Sequence, residues 1–152
     1  MKQTRICLIT PPSPFLLDER VFMHIGILKV ASSLERQGIT VDFLDLSGID
    51  NHLDVIDDYM SLDDSSKRFG ITATTPQVPY AVKINERIKK NDPNAITILG
   101  GPHVTLMNAA QKREVSVGLG KSDRATKDMK MLSDVFDILV CGDGELAIEH
   151  AL

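Results

Sequence analysis

The feature that most constrains the fold of this chain is the alternation of short apolar runs with longer segments of helical periodicity. Segments such as 22–37 place apolar residues at helical spacing and end at a stop signal, here Gly38. Alternating strands and helices are joined by right-handed crossovers into a parallel sheet. The sequence therefore predicts an α/β domain with five parallel strands. The predicted strands are residues 5–10, 39–45, 68–74, 95–99 and 137–140.

Length and composition exclude several classes of protein. A chain of 152 residues with 43% hydrophobic and 25% charged residues is typical of a single globular domain. A net charge of −4, with two tyrosines, five phenylalanines and no tryptophan, disfavours nucleic acid as a partner. The apolar runs are too short to cross a membrane, and the N-terminus lacks the apolar region of a signal peptide. We expect no membrane partner and a cytoplasmic location.

Two glycine-rich segments follow predicted strands directly. They are Gly100-Gly101-Pro102-His103 and Gly142-Asp143-Gly144-Glu145. Ligands of parallel α/β sheets bind outside the carboxyl ends of the strands, where glycine lets a bulky group approach the backbone. Glycine and proline also occur in ordinary turns, although two adjacent glycines exceed what a simple turn requires. Both segments are candidate binding residues.

Three polar residues at the ends of the third and fourth predicted strands have two interpretations each. Thr72 and Thr74 can bond a ligand or can simply be good strand residues. His103 is either a solvated helix-start residue or a ligand, but no second ligand lies at metal-binding spacing. The sequence therefore predicts no metal site and no catalytic residue.

Glu145 and the two cysteines also have ordinary structural interpretations. Glu145 is favoured by the dipole of the following helix whatever its function. Cys7 lies inside a strand and is interpreted as a small buried hydrophobic residue, while Cys141 is a candidate contact at the binding edge. Two cysteines at this spacing suit neither a zinc ribbon nor a disulfide framework.

Two nucleotide-binding motifs match only in part. Residues 142–147 satisfy the pattern GxGxxA, but they belong to the last strand–helix unit and not to the first. Residues 118–122 end like a phosphate-binding loop, but Val115 stands where that motif requires its first glycine. Neither motif predicts a nucleotide site.

The regular pattern loosens between Met107 and Asp134. We expect residues 108–134 to form a long, mobile connection whose last part is helical. The final predicted helix has only eight residues, too few to cover the last strand well. Residues 1–152 are therefore predicted to be one domain cut from a longer protein.

The order of these signals resembles the N-terminal cobalamin (vitamin B12)-binding domain of cobalamin-dependent radical S-adenosylmethionine (radical SAM) enzymes. The resemblance covers nearly the whole chain except the connection after Met107. The residues that carry it are 8–12, the helix 24–34 with Gly38 after it, 41–45, 100–105 and 141–145.

The resemblance implies a flavodoxin-like, three-layer sandwich with strand order 2-1-3-4-5. The carboxyl edge of that sheet would hold the corrin ring, and a groove of the domain would take the nucleotide tail. The residues implied to bind the cofactor are Thr10, Pro11, Pro12, Thr72, Thr74, Gly100, Gly101, Pro102, His103, Gly142, Asp143, Gly144 and Glu145. A bulky residue in place of Gly101 is expected to abolish cobalamin binding while leaving the fold intact.

Two motifs found in related proteins are absent from this chain, and their absence bears on how cobalamin would be bound. The DxHxxG motif that supplies a histidine to cobalt is absent, since His24 has neither an aspartate two residues before it nor a glycine three residues after it. Cobalamin would therefore bind base-off, with no ligand from that position. The CxxxCxxC motif is also missing, so the [4Fe-4S] cluster and S-adenosylmethionine would belong to a C-terminal radical SAM domain absent from this chain.

The function implied is a cobalamin-binding module for methyl transfer or radical chemistry. The alternative is a domain of the same fold that no longer binds cobalamin and serves substrate recognition or scaffolding. A stand-alone nucleotide-binding protein is disfavoured, because the prolines after the first strand leave few backbone N–H donors for a phosphate.

Overall fold

A computed structural model describes residues 4–21, 23–117 and 123–152. Its five strands form one parallel sheet in the order β2-β1-β3-β4-β5, which confirms the expected flavodoxin-like α/β architecture. The strands are β1 (Arg5–Thr10), β2 (Thr40–Asp45), β3 (Arg68–Thr72), β4 (Ile96–Gly100) and β5 (Ile138–Leu139). The helices are α1 (Ile25–Arg36), α2 (His52–Met60), α3 (Val78–Asn91), α4 (Pro102–Ser116), α5 (Arg124–Val135) and α6 (Gly144–Ala147).

The central strand β1 separates two apolar clusters, because side chains along a strand alternate between its faces. Ile6 and Leu8 pack with residues of α1 and of the C-terminal 3₁₀ turn, Ile148–Ala151. Cys7 and Ile9 pack on the other face with residues of α2, α3 and α5. Both faces of β1 are buried, which explains its almost continuous apolar sequence.

The prediction for Cys7 is confirmed. Its side chain has no exposed surface and lies within the larger cluster. Burial raises the pKa of the thiol to about 12, so the group stays uncharged at neutral pH.

The described helices are short. The longest, α4, has 15 residues, whereas a transmembrane helix needs about 20 predominantly apolar ones. Within the described ranges, no helix is long and apolar enough to cross a membrane.

The third strand ends two residues earlier than predicted. After Thr72 the chain leaves the ladder and enters a 3₁₀ turn, Thr75–Gln77. Thr74 caps that turn: its backbone N–H and its hydroxyl both donate to Gln77 Oε1, each at 3.0 Å. A side-chain capping interaction has replaced strand pairing here.

Most of the segment expected to be a loose connection is helical. It is occupied by the end of α4 and by α5, and the predicted helical last part is confirmed. The pattern looked irregular because α4 buries only His103 and Val104, both in its first turn. Residues 118–122, which contain the middle of the predicted mobile segment and the partial phosphate-binding motif, lie outside the described residues.

A carboxylate on α4 caps α5. Glu114 Oε1 accepts from Ala125 N at 2.9 Å, and Oε2 accepts from Thr126 N at 3.0 Å and from the Thr126 hydroxyl at 2.9 Å. These bonds satisfy N–H groups that have no partner within the helix. The backbone bond from Ala125, followed by those from Thr126, holds the pKa of the Glu114 carboxyl below its usual range.

Replacing Glu114 with glutamine should lower the melting temperature at pH 7. The carboxyl has a lower pKa in the folded than in the unfolded state. Its contribution is therefore complete above the unfolded pKa of about 4.3 and is lost as pH falls through the folded pKa. Melting curves from pH 7 to pH 3, followed by circular dichroism, should show the difference from the parent chain shrinking. Glu86→Gln, at an exposed position on α3, is the matched control, and an equal loss in both variants would contradict the capping role.

Candidate functional site

A cavity of about 480 Å³ opens between the sheet and α1, at the carboxyl edge of the strands. Its walls come from the strands β1, β3 and β4, from α1, from the start of α4 and from the segment after β5. The lining residues are Leu8, Gly26, Ile27, Val30, Gly70, Ile71, Thr72, Ile98, Gly100, Gly101, Pro102, Thr105, Leu106, Val140, Gly142, Asp143, Gly144, Glu145 and Ile148.

The floor of the cavity is formed by three residues on adjacent strands. Gly70 is in register with Leu8 on β1 and with Ile98 on β4, so all three share one face of the sheet. A Cβ at Gly70 would lie 2.8 Å from Leu8 Cδ2. The absence of a side chain at Gly70 therefore makes room for the Leu8 side chain above β3. It also leaves a depression between the side chains of Leu8 and Ile98.

The wall opposite the sheet belongs to α1. A Cβ added at Gly26 would meet no atom of the described residues within 4 Å. Gly26 is exposed at the mouth of the cavity, so a larger residue there would have open space beside it. Farther along the wall, a Cβ at Gly144 would lie 3.0 Å from Val30 Cγ2, so the glycine allows α6 to pack closely on α1.

The first glycine segment forms one side of the rim and is tied to the end of β3. Ala73 N donates to Gly100 O at 3.1 Å, and His103 N donates to Ala73 O at 3.0 Å. Gly101 has φ +97°, and a Cβ there would lie 2.5 Å from Thr72 Oγ1 and 2.9 Å from Ala73 N. The turn therefore requires glycine at 101 for its own geometry. The expectation that a bulky residue at 101 leaves the fold intact is wrong for this reason.

A threonine joins the two glycine segments. The Thr105 hydroxyl donates to Gly101 O at 3.1 Å and accepts from Gly142 N at 3.0 Å. Gly142 has φ +86°, and a Cβ there would meet no described atom within 4 Å. Thr105 is not among the predicted site residues, although it holds both sides of the rim together.

Eight of the thirteen predicted site residues line the cavity, and the other five do not. Those brought together are Thr72, Gly100, Gly101, Pro102, Gly142, Asp143, Gly144 and Glu145. Those placed elsewhere are Thr10, Pro11, Pro12, Thr74 and His103.

Hydrogen bonding to Gln77 accounts for two of the five. Gln77 is buried and donates from Nε2 to Pro11 O at 3.1 Å, while its Oε1 accepts the bonds from Thr74. Pro12 is buried beside Pro11. Thr10 is fully buried, and its hydroxyl has no partner among the described residues. The side chain of Gln77 thus links the loops that follow β1 and β3.

His103 is neither solvated nor part of a metal site in the described ranges. Its ring is buried, and Nδ1 lies 3.0 Å from Thr75 Oγ1. Burial lowers the pKa of the imidazole, which favours the neutral ring. Within residues 4–21, 23–117 and 123–152, no group of three or more His, Cys, Asp or Glu could hold a metal ion.

Cys141, the other candidate contact, lies behind the rim and does not line the cavity. Its thiol is 3.9 Å from Val104 O on α4 and is partly buried. Desolvation raises the pKa of the thiol, so the position does not favour a reactive thiolate.

The sequence interpretation missed the interior of the cavity. Two of the missed residues, Gly26 and Gly70, did leave a signal in the sequence. A glycine inside a helix or a strand costs stability, so its presence there indicates a bulge or the close approach of another group. The missed apolar residues, including Leu8, Ile27 and Ile98, are indistinguishable in sequence from the rest of the core.

A family model described as the B12 binding domain matches residues 20–130. This chain belongs to the B12-binding domain family. The match includes α1 with Gly26, the β3 residue of the floor, Gly70, and the first glycine segment. Comparison of this B12-binding domain with curated proteins found no match.

Two similar solved structures are of TsrM, a radical S-adenosylmethionine methyltransferase from Kitasatospora setae. One has tryptophan substrate and a SAM analogue bound, and the other has cobalamin and a [4Fe-4S] cluster bound. Each is 19% identical to this B12-binding domain, with a TM-score of 0.59 over 73% of this chain and 22% of TsrM. The chain thus spans about a fifth of the TsrM chain.

Two other solved structures share the fold. A type II dehydroquinase from Butyrivibrio crossotus is 12% identical over 99% of this chain and 96% of its own, with a TM-score of 0.59. The response regulator RcsB from Salmonella typhimurium is 13% identical over 95% and 55% of the two chains, with a TM-score of 0.50. The flavodoxin-like fold is therefore compatible with several functions, and an argument about function must come from the site.

Proposed function

We propose that this B12-binding domain binds cobalamin, with the nucleotide tail in the cavity and the corrin ring against the rim. The observation that carries the proposal is the position of the cavity. It opens at the carboxyl edge of the sheet, between α1 and the two glycine segments. That edge is where parallel α/β sheets bind their ligands.

The cavity is large enough for the base of the nucleotide tail. Pockets for small molecules have volumes of about 300–1,000 Å³. At about 480 Å³ the cavity can enclose a planar base, but not a macrocycle with its amide side chains. The ring would therefore rest outside, on the rim.

The rim is shaped for close approach of a large ligand. Gly100 has its nearest atom, Val140 O, 3.7 Å from a notional Cβ, and Gly142 has none among the described residues within 4 Å. Side chains at these two positions would stand in the space that the ring needs. The glycines instead expose backbone groups that can bond the amide arms of a corrin ring.

We propose that cobalamin binds base-off and without a histidine ligand from this chain. No described histidine or cysteine lines the cavity. His24 Nε2 lies 3.1 Å from Ser47 Oγ, and His103 is bonded to Thr75. A base held in the cavity would be unavailable to bind the cobalt ion, which would leave the cofactor base-off.

The larger enzyme is also a proposal. Bound cobalamin supplies a cobalt ion that can carry a methyl group or take part in one-electron chemistry. Residues of this chain would bind and orient the cofactor, while a separate radical SAM domain would supply the [4Fe-4S] cluster and S-adenosylmethionine. The similarity to TsrM, which contains both cobalamin and such a cluster, supports this arrangement.

The test is retention of hydroxocobalamin by the purified chain. After mixing, free cofactor is removed by gel filtration and the visible spectrum of the protein fraction is recorded. We expect about one corrinoid per chain with a base-off spectrum. Retention with a base-on spectrum would contradict tail binding in the cavity. Loss of the cofactor would favour the alternative, a domain of this fold that serves substrate recognition or scaffolding.

A further inference from the structure

We infer that the cavity discriminates among corrinoids by the polarity of the lower base, which is the ring at the end of the nucleotide tail. It favours benzimidazole or phenolic rings over purines. This inference rests on the proposed binding of cobalamin. It concerns residues of the floor and the α1 wall, which decide which form of the cofactor the domain accepts.

The inner surface of the cavity is apolar. Leu8 and Ile98 form the floor with Gly70 between them, and Ile27 and Ile148 close the sides. All four of these large side chains are buried. A ring that reaches the floor would lie against the aliphatic side chains of these four residues.

The backbone of the floor offers no free hydrogen-bonding groups. Leu8 pairs with Phe43 on one side and with Gly70 on the other, and Gly70 pairs also with Ile98. Residues inside a parallel ladder use their N–H and C=O groups in the sheet. The base must therefore find hydrogen-bonding partners elsewhere.

The polar side chains of the cavity lie at its rim. Thr72 is at the end of β3, and Asp143 and Glu145 follow β5. The Thr105 hydroxyl already donates to Gly101 O and accepts from Gly142 N. Polar groups are thus available at the mouth of the cavity but not at its floor.

Natural corrinoids differ in how many polar atoms their lower base would bury. Adenine brings an exocyclic amine and three free ring nitrogens, whereas dimethylbenzimidazole brings one free ring nitrogen. A cresol ring, joined through its oxygen, brings none. An unpaired buried polar group lowers affinity by roughly 5- to 150-fold. We therefore expect the cresol and dimethylbenzimidazole forms to bind at least about fivefold more tightly than the adenine form.

The test is equilibrium dialysis of the purified chain against four corrinoids, with dissociation constants read from corrinoid absorbance. The four are cobalamin, its adenine analogue pseudocobalamin, p-cresolylcobamide, and cobinamide, which lacks the nucleotide tail. Cobinamide measures the contribution of the ring and its arms alone. We expect cobalamin and p-cresolylcobamide to bind more tightly than cobinamide, and pseudocobalamin to gain little or nothing over it.

The outcomes separate this inference from the proposed function. If cobalamin and pseudocobalamin bind equally and both bind more tightly than cobinamide, the domain binds cobalamin but the selectivity is wrong. That result would mean that the adenine amine reaches the rim carboxylates, Asp143 or Glu145. If cobalamin binds no better than cobinamide, the tail does not enter the cavity and the inference fails. If no corrinoid binds, the inference and the proposed function both fail.

Discussion

Replacing Gly26 with leucine is expected to abolish cobalamin retention without lowering the stability of the fold. Gly26 lines the cavity from α1, and a Cβ there meets no described atom within 4 Å. A leucine side chain would enter the space proposed for the lower base, and leucine favours a helix more than glycine does. Excluding a buried aromatic ring should cost about 2–4 kcal/mol of binding free energy, roughly 30- to 1,000-fold in the dissociation constant. Equilibrium dialysis measures the loss of binding, and thermal melting checks the fold.

Two further variants make this prediction specific. Gly26→Ala fills less of the cavity and should weaken binding by a smaller factor. Ser32→Leu adds the same side chain at an exposed position of α1 outside the cavity and should leave binding unchanged. Normal retention by a stable Gly26→Leu variant would show that the base does not occupy this cavity.

Replacing Gly101 with alanine should have the opposite signature, a large loss of stability. Gly101 has φ +97°, a backbone conformation that residues with a side chain rarely adopt. Its Cβ would also lie 2.9 Å from Ala73 N, a backbone atom that cannot move without disturbing the end of β3. We expect the free energy of unfolding to fall by about 2–4 kcal/mol and the melting temperature to fall by roughly 5–15 °C. Urea denaturation and thermal melting measure both quantities.

A second glycine with a positive φ separates crowding from conformational strain. Gly38 has φ +80°, and a Cβ there would meet no described atom within 4 Å. Gly38→Ala should therefore cost only the conformational penalty, about 1–2 kcal/mol. Equal losses in the two variants would mean that the contacts of Gly101 with Thr72 and Ala73 add nothing, and the role assigned to this turn would be wrong.

The variants Gly26→Leu and Gly101→Ala together distinguish a glycine that leaves room for a ligand from a glycine that the fold requires. Gly101 is required by a turn, whereas Gly26 lies in the first turn of α1 and does not have a positive φ. A glycine kept where the fold does not need it is the stronger indication of a binding site. In sequence, the adjacent pair Gly100-Gly101 is more conspicuous than the isolated Gly26, so the more informative residue is the easier one to miss.

Some predicted site residues line the cavity and others do not, and no local sequence pattern separates the two groups. Thr72 and Thr74 both follow the third apolar run, yet Thr72 lines the cavity and Thr74 caps the 3₁₀ turn. Thr10 ends β1, but its hydroxyl is buried outside the cavity. Position after a strand indicates the edge of the sheet, but not whether a side chain faces the cavity or the loops beyond it.

The sequence by itself determined the class of fold, the order of its strands along the chain and the edge of the sheet at which the cavity opens. Those properties follow from local signals: apolar runs buried on two faces, helical periodicity between them, and glycine after two strand ends. Only the tertiary structure decided where the cavity lies, because its floor requires the register of Leu8, Gly70 and Ile98 and its wall requires α1 to pack across them. Such contacts join residues far apart in the chain, and no local pattern encodes which of them leave space unfilled.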